Sequence, residues 1–280
     1  MRKIDVFQIH DIPATLAKAI ELQTQGAPTS LEGAFVPLSE EVYTALREQV
    51  LTDIARECDK NSYHNRAHTE GVERRFLELA KLAGFSPSNT QIGCIIALFH
   101  DYGHIGQTVR QEASVPVSRK DLSNEEYSAL MVDRFLADKV PKEVIVSIQS
   151  GILGTSFGQT SGPYARPYKP LNAVEKLIAF ADIANFTSSL DDWMEENFNV
   201  FREMPPANLP KRFDEMIFGR NKFLDYVSSK LEEVALILGS ENTARYQESL
   251  EKLRDSVNSL ETKEKYEPLY EALLVEKLES

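Results

Sequence analysis

The pattern of apolar and polar residues along this chain is predominantly helical. In "HTEGVERRFLELAKLAG" the residues Val72, Phe76 and Leu79 recur at the three- and four-residue spacing of one helix face. The stretch "NTQIGCIIALFHDYGH" is apolar nearly all round, which predicts a buried central helix closed by Gly103 and Gly106. No stretch of the sequence shows the strong alternation that marks a half-buried strand. The pattern therefore predicts an all-α fold.

Signals for helix starts divide the rest of the chain. Ser39 and Ser123 each precede a helical pattern with glutamates in its first turn, as N-cap residues do. Further helices are predicted in "TLAKAIELQTQ", "PKEVIVSIQSGIL" and "LNAVEKLIAFADIANF", and charged helices follow from Phe213 to the end. Loops rich in Gly, Pro and polar residues are predicted at 26–37, 154–170 and 203–212.

These elements predict one domain that spans residues 1–280, with three parts. Residues 1–38 form an N-terminal arm and linker, residues 39–204 a core, and residues 205–280 a helical C-terminal extension. A hydrophobic content of 42% over 280 residues is enough for a sizeable core. The organisation leaves a homo-oligomer open.

The charge and composition of the chain limit the kinds of partner that we expect. The net charge of −12 argues against a protein that holds nucleic acid by bulk charge. No stretch reaches the ~20 apolar residues of a membrane span, and the N-terminus lacks the apolar block of a signal peptide. We therefore expect a cytoplasmic protein without a membrane partner. Cys58 and Cys94, far apart in the chain, are expected to be buried or inert thiols.

Four of the five histidines form two pairs with a spacing of four residues. His64 and His68 lie in "YHNRAH", and His100 and His104 lie in "FHDYGH". On a helix, this spacing would place both members of a pair on one face. The first pair lacks the glutamate of the H-E-x-x-H motif, so a zincin protease is not expected. His10 stands alone and is expected to be an ordinary histidine.

Two aspartates accompany these histidines in apolar surroundings. Asp101 follows His100 directly at the end of "CIIALF", and Asp182 lies within "AFADIAN". A buried carboxylate is costly unless it is paired or binds a metal. Imidazole nitrogens and carboxylate oxygens suit one shared metal, and a carboxylate can bridge two metals through its two oxygens. The sequence therefore predicts a metal centre.

These motifs resemble those of the HD-domain metal-dependent phosphohydrolases. "YHNRAH", "ALFHDYGH" and "FADIAN" are similar to the YHNxxH, HDxxH and late-aspartate motifs of class I cyclic-nucleotide phosphodiesterases, in the same order. The resemblance covers roughly residues 60–200 and implies a compact multi-helix HD-domain bundle. Thr155-Ser156-Phe157 stands where those phosphodiesterases usually have Thr-Asp-Met, and their Leu-Glu-Asn-His-His motif is missing. The substrate therefore stays open among cyclic nucleotides, nucleoside mono- and diphosphates and other phosphoesters.

The resemblance implies a role for each residue of the motifs. The ligands of the tighter metal would be His68, His100, Asp101 and Asp182, with Asp101 also bridging to a second metal. His64 would give a proton to the leaving oxygen. His104 would face the water of the second metal or support the ligands.

Further residues are implied around this centre. The acidic motif that follows HD in smaller bacterial members is similar to "SNEEYSA", where Glu125 is the better match and Glu126 the alternative. A capping-box glutamate of the helix that begins at Ser123 is the competing role. Substrate contacts are expected from Tyr63, Asn65, Thr155 and Asn185. The 154–170 loop would wall the pocket, where Tyr164, Arg166 and Tyr168 are either substrate contacts or ordinary loop residues.

The function implied is that of a metal-dependent phosphohydrolase. Water activated by one or two divalent metal ions would attack phosphorus as hydroxide, in a small phosphorylated, nucleotide-like substrate. Asp101 would orient that water or accept its proton. The sequence does not choose among Mg²⁺, Mn²⁺, Fe²⁺, Ni²⁺ and Zn²⁺. Two alternatives stay open: an HD-domain di-iron oxygenase and a non-catalytic nucleotide-binding regulatory module.

Overall fold

The structure, a computed structural model, describes residues 12–29, 35–58, 61–104, 122–156 and 168–279. These residues form α-helices and short 3-10 helices, and no β-strand occurs among them. The predicted all-α fold is confirmed. In the same ranges no helix is long and apolar enough to cross a membrane.

The chain divides into two compact units. The first unit consists of Met1–Lys60 and His64–Asp182, and the second of Asn61–Tyr63 and Ile183–Ser280. This division falls after Asp182, whereas the sequence suggested a core that ends at residue 204. The assignment of domains from the sequence stays a prediction.

Within the described ranges, seven α-helices belong mainly to the first unit. They are α1 (Ala14–Gln25), α2 (Glu40–Glu57), α3 (Arg66–Leu82), α4 (Pro87–Phe99), α5 (Asn124–Leu136), α6 (Lys142–Gly154) and α7 (Ala173–Ile183), with a 3-10 helix at Tyr102–His104. The side chains of Ser39 and Ser123 cap α2 and α5 as predicted.

Helix α4 is the centre of the first unit, as its apolar sequence predicts. It packs against α2, α3, α5 and α6, and from Ile92 to Phe99 it is buried. Gly93 allows close contact with α3, because a Cβ there would lie 1.9 Å from the ring of Phe76. The contact joins α3, which carries His68, to α4, which His100 directly follows.

The second unit contains α8 (Leu190–Glu203), α9 (Phe213–Leu238), α10 (Ser240–Val257) and α11 (Leu260–Glu279), with 3-10 helices at Ala184–Thr187 and Pro206–Asn208. Its core includes the buried ring of Tyr270, which contacts the rings of Phe198, Phe201 and Phe213. The prediction of helices from Phe213 onward is confirmed.

Candidate metal centre

His68 is placed by the N-terminal cap of α3. The side-chain carbonyl of Asn65 accepts hydrogen bonds from the backbone N–H groups of Ala67 (2.9 Å) and His68 (3.2 Å). Helix α3 therefore begins at Arg66, and His64 precedes the cap. The prediction that His64 and His68 share a helix face through their spacing is wrong, because only His68 lies in the helix. Asn65 has a structural role in addition to any contact with substrate.

The turn that carries Asp101 is held by a buried serine of α5. The backbone N–H of Gly103 donates to Ser128 Oγ (2.7 Å), and this hydroxyl donates to the carbonyl of His100 (3.0 Å). The N–H of His104 instead bonds to the carbonyl of Asp101 at 2.9 Å, in a 3-10 turn. Helix α4 consequently ends at Phe99, so two predictions are wrong: the helix does not run to Gly103, and His104 does not share its face with His100.

Four side chains converge at the end of α4. His68 Nε2 lies 3.2 Å from Asp101 Oδ2 and 3.2 Å from Asp182 Oδ1. His100 Nε2 lies 3.0 Å from Asp101 Oδ2, 3.5 Å from Asp182 Oδ1 and 3.4 Å from His68 Nε2. Ligands at about 2.1 Å from one cation are separated by about 3.0 Å at right angles and about 3.4 Å at a tetrahedral angle. Four of the five distances lie in this range, and the fifth, between His100 Nε2 and Asp182 Oδ1, is slightly longer at 3.5 Å.

A hydrogen bond to the main chain fixes the tautomer of the His100 ring. Its Nδ1 lies 2.7 Å from the carbonyl of Ala97, which can only accept, so Nδ1 carries a proton. In the neutral ring Nε2 then presents a lone pair to the oxygen of Asp101 and the nitrogen of His68. Such a bond to a carbonyl is the usual way in which a metal-binding histidine is oriented. The lone pairs of the cluster need a shared cation, which is either a proton or a metal ion.

The two histidines and the two aspartates of the cluster change one another's pKa values. Burial alone would lower the pKa of both histidines, but the carboxylates of Asp101 and Asp182 outweigh it and raise the pKa of His68 and, to well above its usual range, that of His100. Burial likewise acts to raise the pKa of the two aspartates, yet the adjacent imidazoles hold both well below the ordinary value. The adjacent carboxylates therefore favour the protonated imidazoles over the neutral ones.

This coupling predicts that metal binding releases protons. Because the carboxylates raise the pKa values of His68 and His100 in metal-free protein, a metal competes with protons for these imidazoles. We expect metal affinity to rise with pH, by about one log unit per pH unit for each proton released. Titration calorimetry in buffers of different ionisation enthalpy measures the number of protons. A binding constant that does not change between pH 6 and 8 would contradict the prediction.

A second group of possible ligands shares Asp101. One ligand atom from each of His64, Asp101 and His104 lies within 4.8 Å of the others. The rings of His64 and His104 are stacked, with centroids 3.8 Å apart and planes 5° apart. His104 Nε2 lies 3.7 Å from Asp101 Oδ1, whereas Asp101 Oδ2 faces the first group. The two oxygens of Asp101 thus face different groups, as a bridging carboxylate requires.

Glu125 and Glu126 have different surroundings. Glu126 is buried and completes the capping box of α5, where it accepts from the N–H of Ser123 (2.9 Å) and from the hydroxyl of Tyr168 (2.8 Å). The capping role therefore belongs to Glu126, which argues against its use as a ligand. Glu125 is half-buried and belongs to neither group of possible ligands in the described residues. Tyr168 is buried, with its hydroxyl bonded to Glu126.

The remaining predicted residues either make other hydrogen bonds or lie outside the described part. Thr155 is buried and its hydroxyl donates to the carbonyl of Ile152 (2.7 Å). In the second unit, the N–H of Tyr63 donates to the carboxylate of Glu203, and the amide of Asn185 donates to that of Glu196. Their contacts with substrate stay predictions. His10, Gly106, Tyr164 and Arg166 lie outside the described residues.

Three residues near the centre were missed in the sequence. The first is Ser128, described above. The second is Asn124, whose amide donates to His104 Nε2 (3.1 Å), and the third is Arg75, which donates to the carbonyl of Ala181 (2.6 Å). Each partner is distant along the chain, so no local pattern marks these residues. Cys58 and Cys94 are buried thiols, as expected, and burial raises the pKa of Cys94 to about 12.

Comparison with protein-family models, with curated proteins and with solved structures found no match for this chain. The functional argument therefore rests on the residues of the centre. Two groups among the described residues could hold a metal ion: His68 with His100 and Asp101, and His64 with Asp101 and His104. Asp182 belongs to neither group, but its Oδ1 lies 3.2 Å from His68 Nε2 and 3.5 Å from His100 Nε2.

Proposed function

We propose that the first unit is a metal-dependent phosphohydrolase that cleaves a phosphoester of a small, nucleotide-like substrate. The ligands of its metal are His68, His100, Asp101 and Asp182. The observation that carries the proposal is the convergence of two imidazole nitrogens and two carboxylate oxygens, with separations of 3.0–3.5 Å for five of their pairs. A divalent cation held by this set would lower the pKa of a bound water and neutralise charge on a phosphate.

Asp101 is the residue that connects the metal with the chemistry. Its Oδ2 faces His68 and His100, and its Oδ1 faces His104. One carboxylate can therefore hold a cation through one oxygen and orient or deprotonate the attacking water through the other. Ser128 fixes the backbone on both sides of Asp101, so this orientation is built into the fold.

His64 supplies the proton for the leaving oxygen in this proposal. Its ring is half-buried and stacked on that of His104, which in turn accepts from the amide of Asn124. The stack restricts the plane of the His64 ring, as a proton donor with defined geometry requires. A second cation bound by His64, Asp101 and His104 is the competing arrangement, and it would make His64 a ligand instead of an acid.

A metal-supplemented substrate screen tests the proposal. Protein stripped with a chelator is reloaded separately with Mg²⁺, Mn²⁺, Fe²⁺, Ni²⁺ or Zn²⁺ and assayed on cyclic nucleotides, nucleoside mono- and diphosphates and simple phosphodiesters. We expect hydrolysis of at least one class that depends on the metal and is lost on chelation. Protein that contains metal yet hydrolyses no member would contradict the proposal. Oxygen consumption by the Fe²⁺ form would instead support the oxygenase.

A further inference from the structure

Arg75 of α3 binds the main chain on both sides of Asp182. Its Nε donates to the carbonyl of Ala181 (2.6 Å), and a terminal nitrogen donates to the carbonyl of Asp182 (3.4 Å). The first carbonyl belongs to the peptide group before the Cα of Asp182 and the second to the peptide group after it. A planar guanidinium that binds both groups restricts the backbone rotation at Asp182, and hence the direction of its side chain.

The same side chain connects two ligands of the proposed metal. Arg75 follows His68 by seven residues, which is two turns along one face of α3. Between them, Gly71 leaves room for the guanidinium, because a Cβ at that position would lie 3.3 Å from a terminal nitrogen of Arg75. Arg75 thus fixes Asp182 relative to the helix that carries His68.

A guanidinium is also a suitable group to bind the C-terminal end of α7. The two carbonyls lie in the last turn of α7, where helical carbonyls lack amide partners. A permanent cation near a helix C-terminus is favourable. It provides a charge-assisted bond to the main chain beside the Asp182 carboxylate of the proposed metal site.

We propose that Arg75 is a positioning residue of the metal centre, which holds the Asp182 carboxylate in register with His68. The inference rests on the metal centre of the proposed function but not on phosphoester chemistry. Residues that orient ligands commonly contribute about 10–100-fold to metal affinity.

Titration with Co²⁺, followed by calorimetry and by visible absorption, tests the proposal on the full chain. The variants are Arg75→Met, Arg75→Lys, Asp182→Ala and the double variant Arg75→Met with Asp182→Ala. Arg74→Met is the matched control, because Arg74 is the exposed neighbour on the same helix. Circular dichroism and urea unfolding in chelator measure the fold and stability of each metal-free protein.

We expect Arg75→Met to weaken Co²⁺ binding by about 10–100-fold and to change the absorption spectrum, while Arg74→Met binds like the wild type. Arg75→Lys should bind with intermediate affinity, since an ammonium can reach one carbonyl but lacks the planar fork. In the Asp182→Ala background, loss of Arg75 should have little further effect, because no carboxylate is left to position.

Three results would overturn the inference. The first is wild-type affinity and spectrum in the Arg75 variants, and the second is an additive loss in the double variant. Wild-type binding would leave only a structural role for Arg75, whose loss lowers the free energy of unfolding without changing Co²⁺ binding. An additive loss would mean that Arg75 does not act through Asp182. Absence of Co²⁺ binding by the wild type would remove the proposed metal centre itself. If Arg75→Met does not fold, the Co²⁺ affinity of Arg75→Lys decides: an intermediate affinity supports the inference, and wild-type affinity overturns it.

Discussion

The variant Asp101→Ala is expected to lose bound metal and hydrolytic activity together. Asp101 is the residue that both groups of possible ligands share, and each of its oxygens faces a different group. Its removal takes away one ligand of the first cation and, if a second cation binds, the bridge between the two. Because this single change affects both groups of possible ligands, activity should fall to the background of the assay.

Elemental analysis and a hydrolysis assay on the same preparation check this prediction. Asp138→Ala is a suitable control, because Asp138 is an exposed aspartate of the first unit. Circular dichroism must show that the Asp101 variant remains helical. This control is needed because the Asp101 carboxylate also interacts with the imidazoles of His68 and His100 in metal-free protein, so its loss can affect the fold. Full metal occupancy in folded Asp101→Ala would show that the ligand assignment is wrong.

The variant His64→Ala is expected to keep its fold and its metal but to lose most activity on substrates with an alkoxide leaving group. His64 precedes the cap of α3, so its removal leaves the hydrogen bonds that place His68 intact. A positioned acid typically contributes about 10²–10⁴-fold when the leaving oxygen must gain a proton. Substrates that release p-nitrophenolate need no such proton and should lose much less.

The decisive measurement is the ratio of the activity on an alkoxide-leaving substrate to the activity on a substrate that releases p-nitrophenolate. It should fall in His64→Ala by the factor that general acid catalysis contributes, whereas damage to the metal site would lower both activities equally. Loss of metal would identify His64 as a ligand of a second cation and refute the assignment of a proton donor. Full activity on an alkoxide-leaving substrate would mean that another residue is the acid.

The sequence by itself determined the helical class and the starts of several helices. The caps at Ser39 and Ser123 were predictable because an N-cap side chain bonds to an amide only two or three residues ahead. The burial of α4 followed from its apolar sequence, and the prediction of a metal centre followed from the cost of burying histidine and aspartate in apolar segments. The assignment of individual ligands came from the resemblance of the motifs.

Only the tertiary structure decided how these residues meet. The spacing of His64 and His68 suggested one helix face, but the cap at Asn65 excludes His64 from α3. The apolar run suggested that α4 continues past His100, but Ser128, 28 residues further along the chain, binds the carbonyl that would continue it. Arg75 contacts a carbonyl 106 residues away. Helix periodicity and capping act over three or four residues, whereas the ends of α4 and α7 are bonded by side chains from distant helices, whose positions depend on the packed fold.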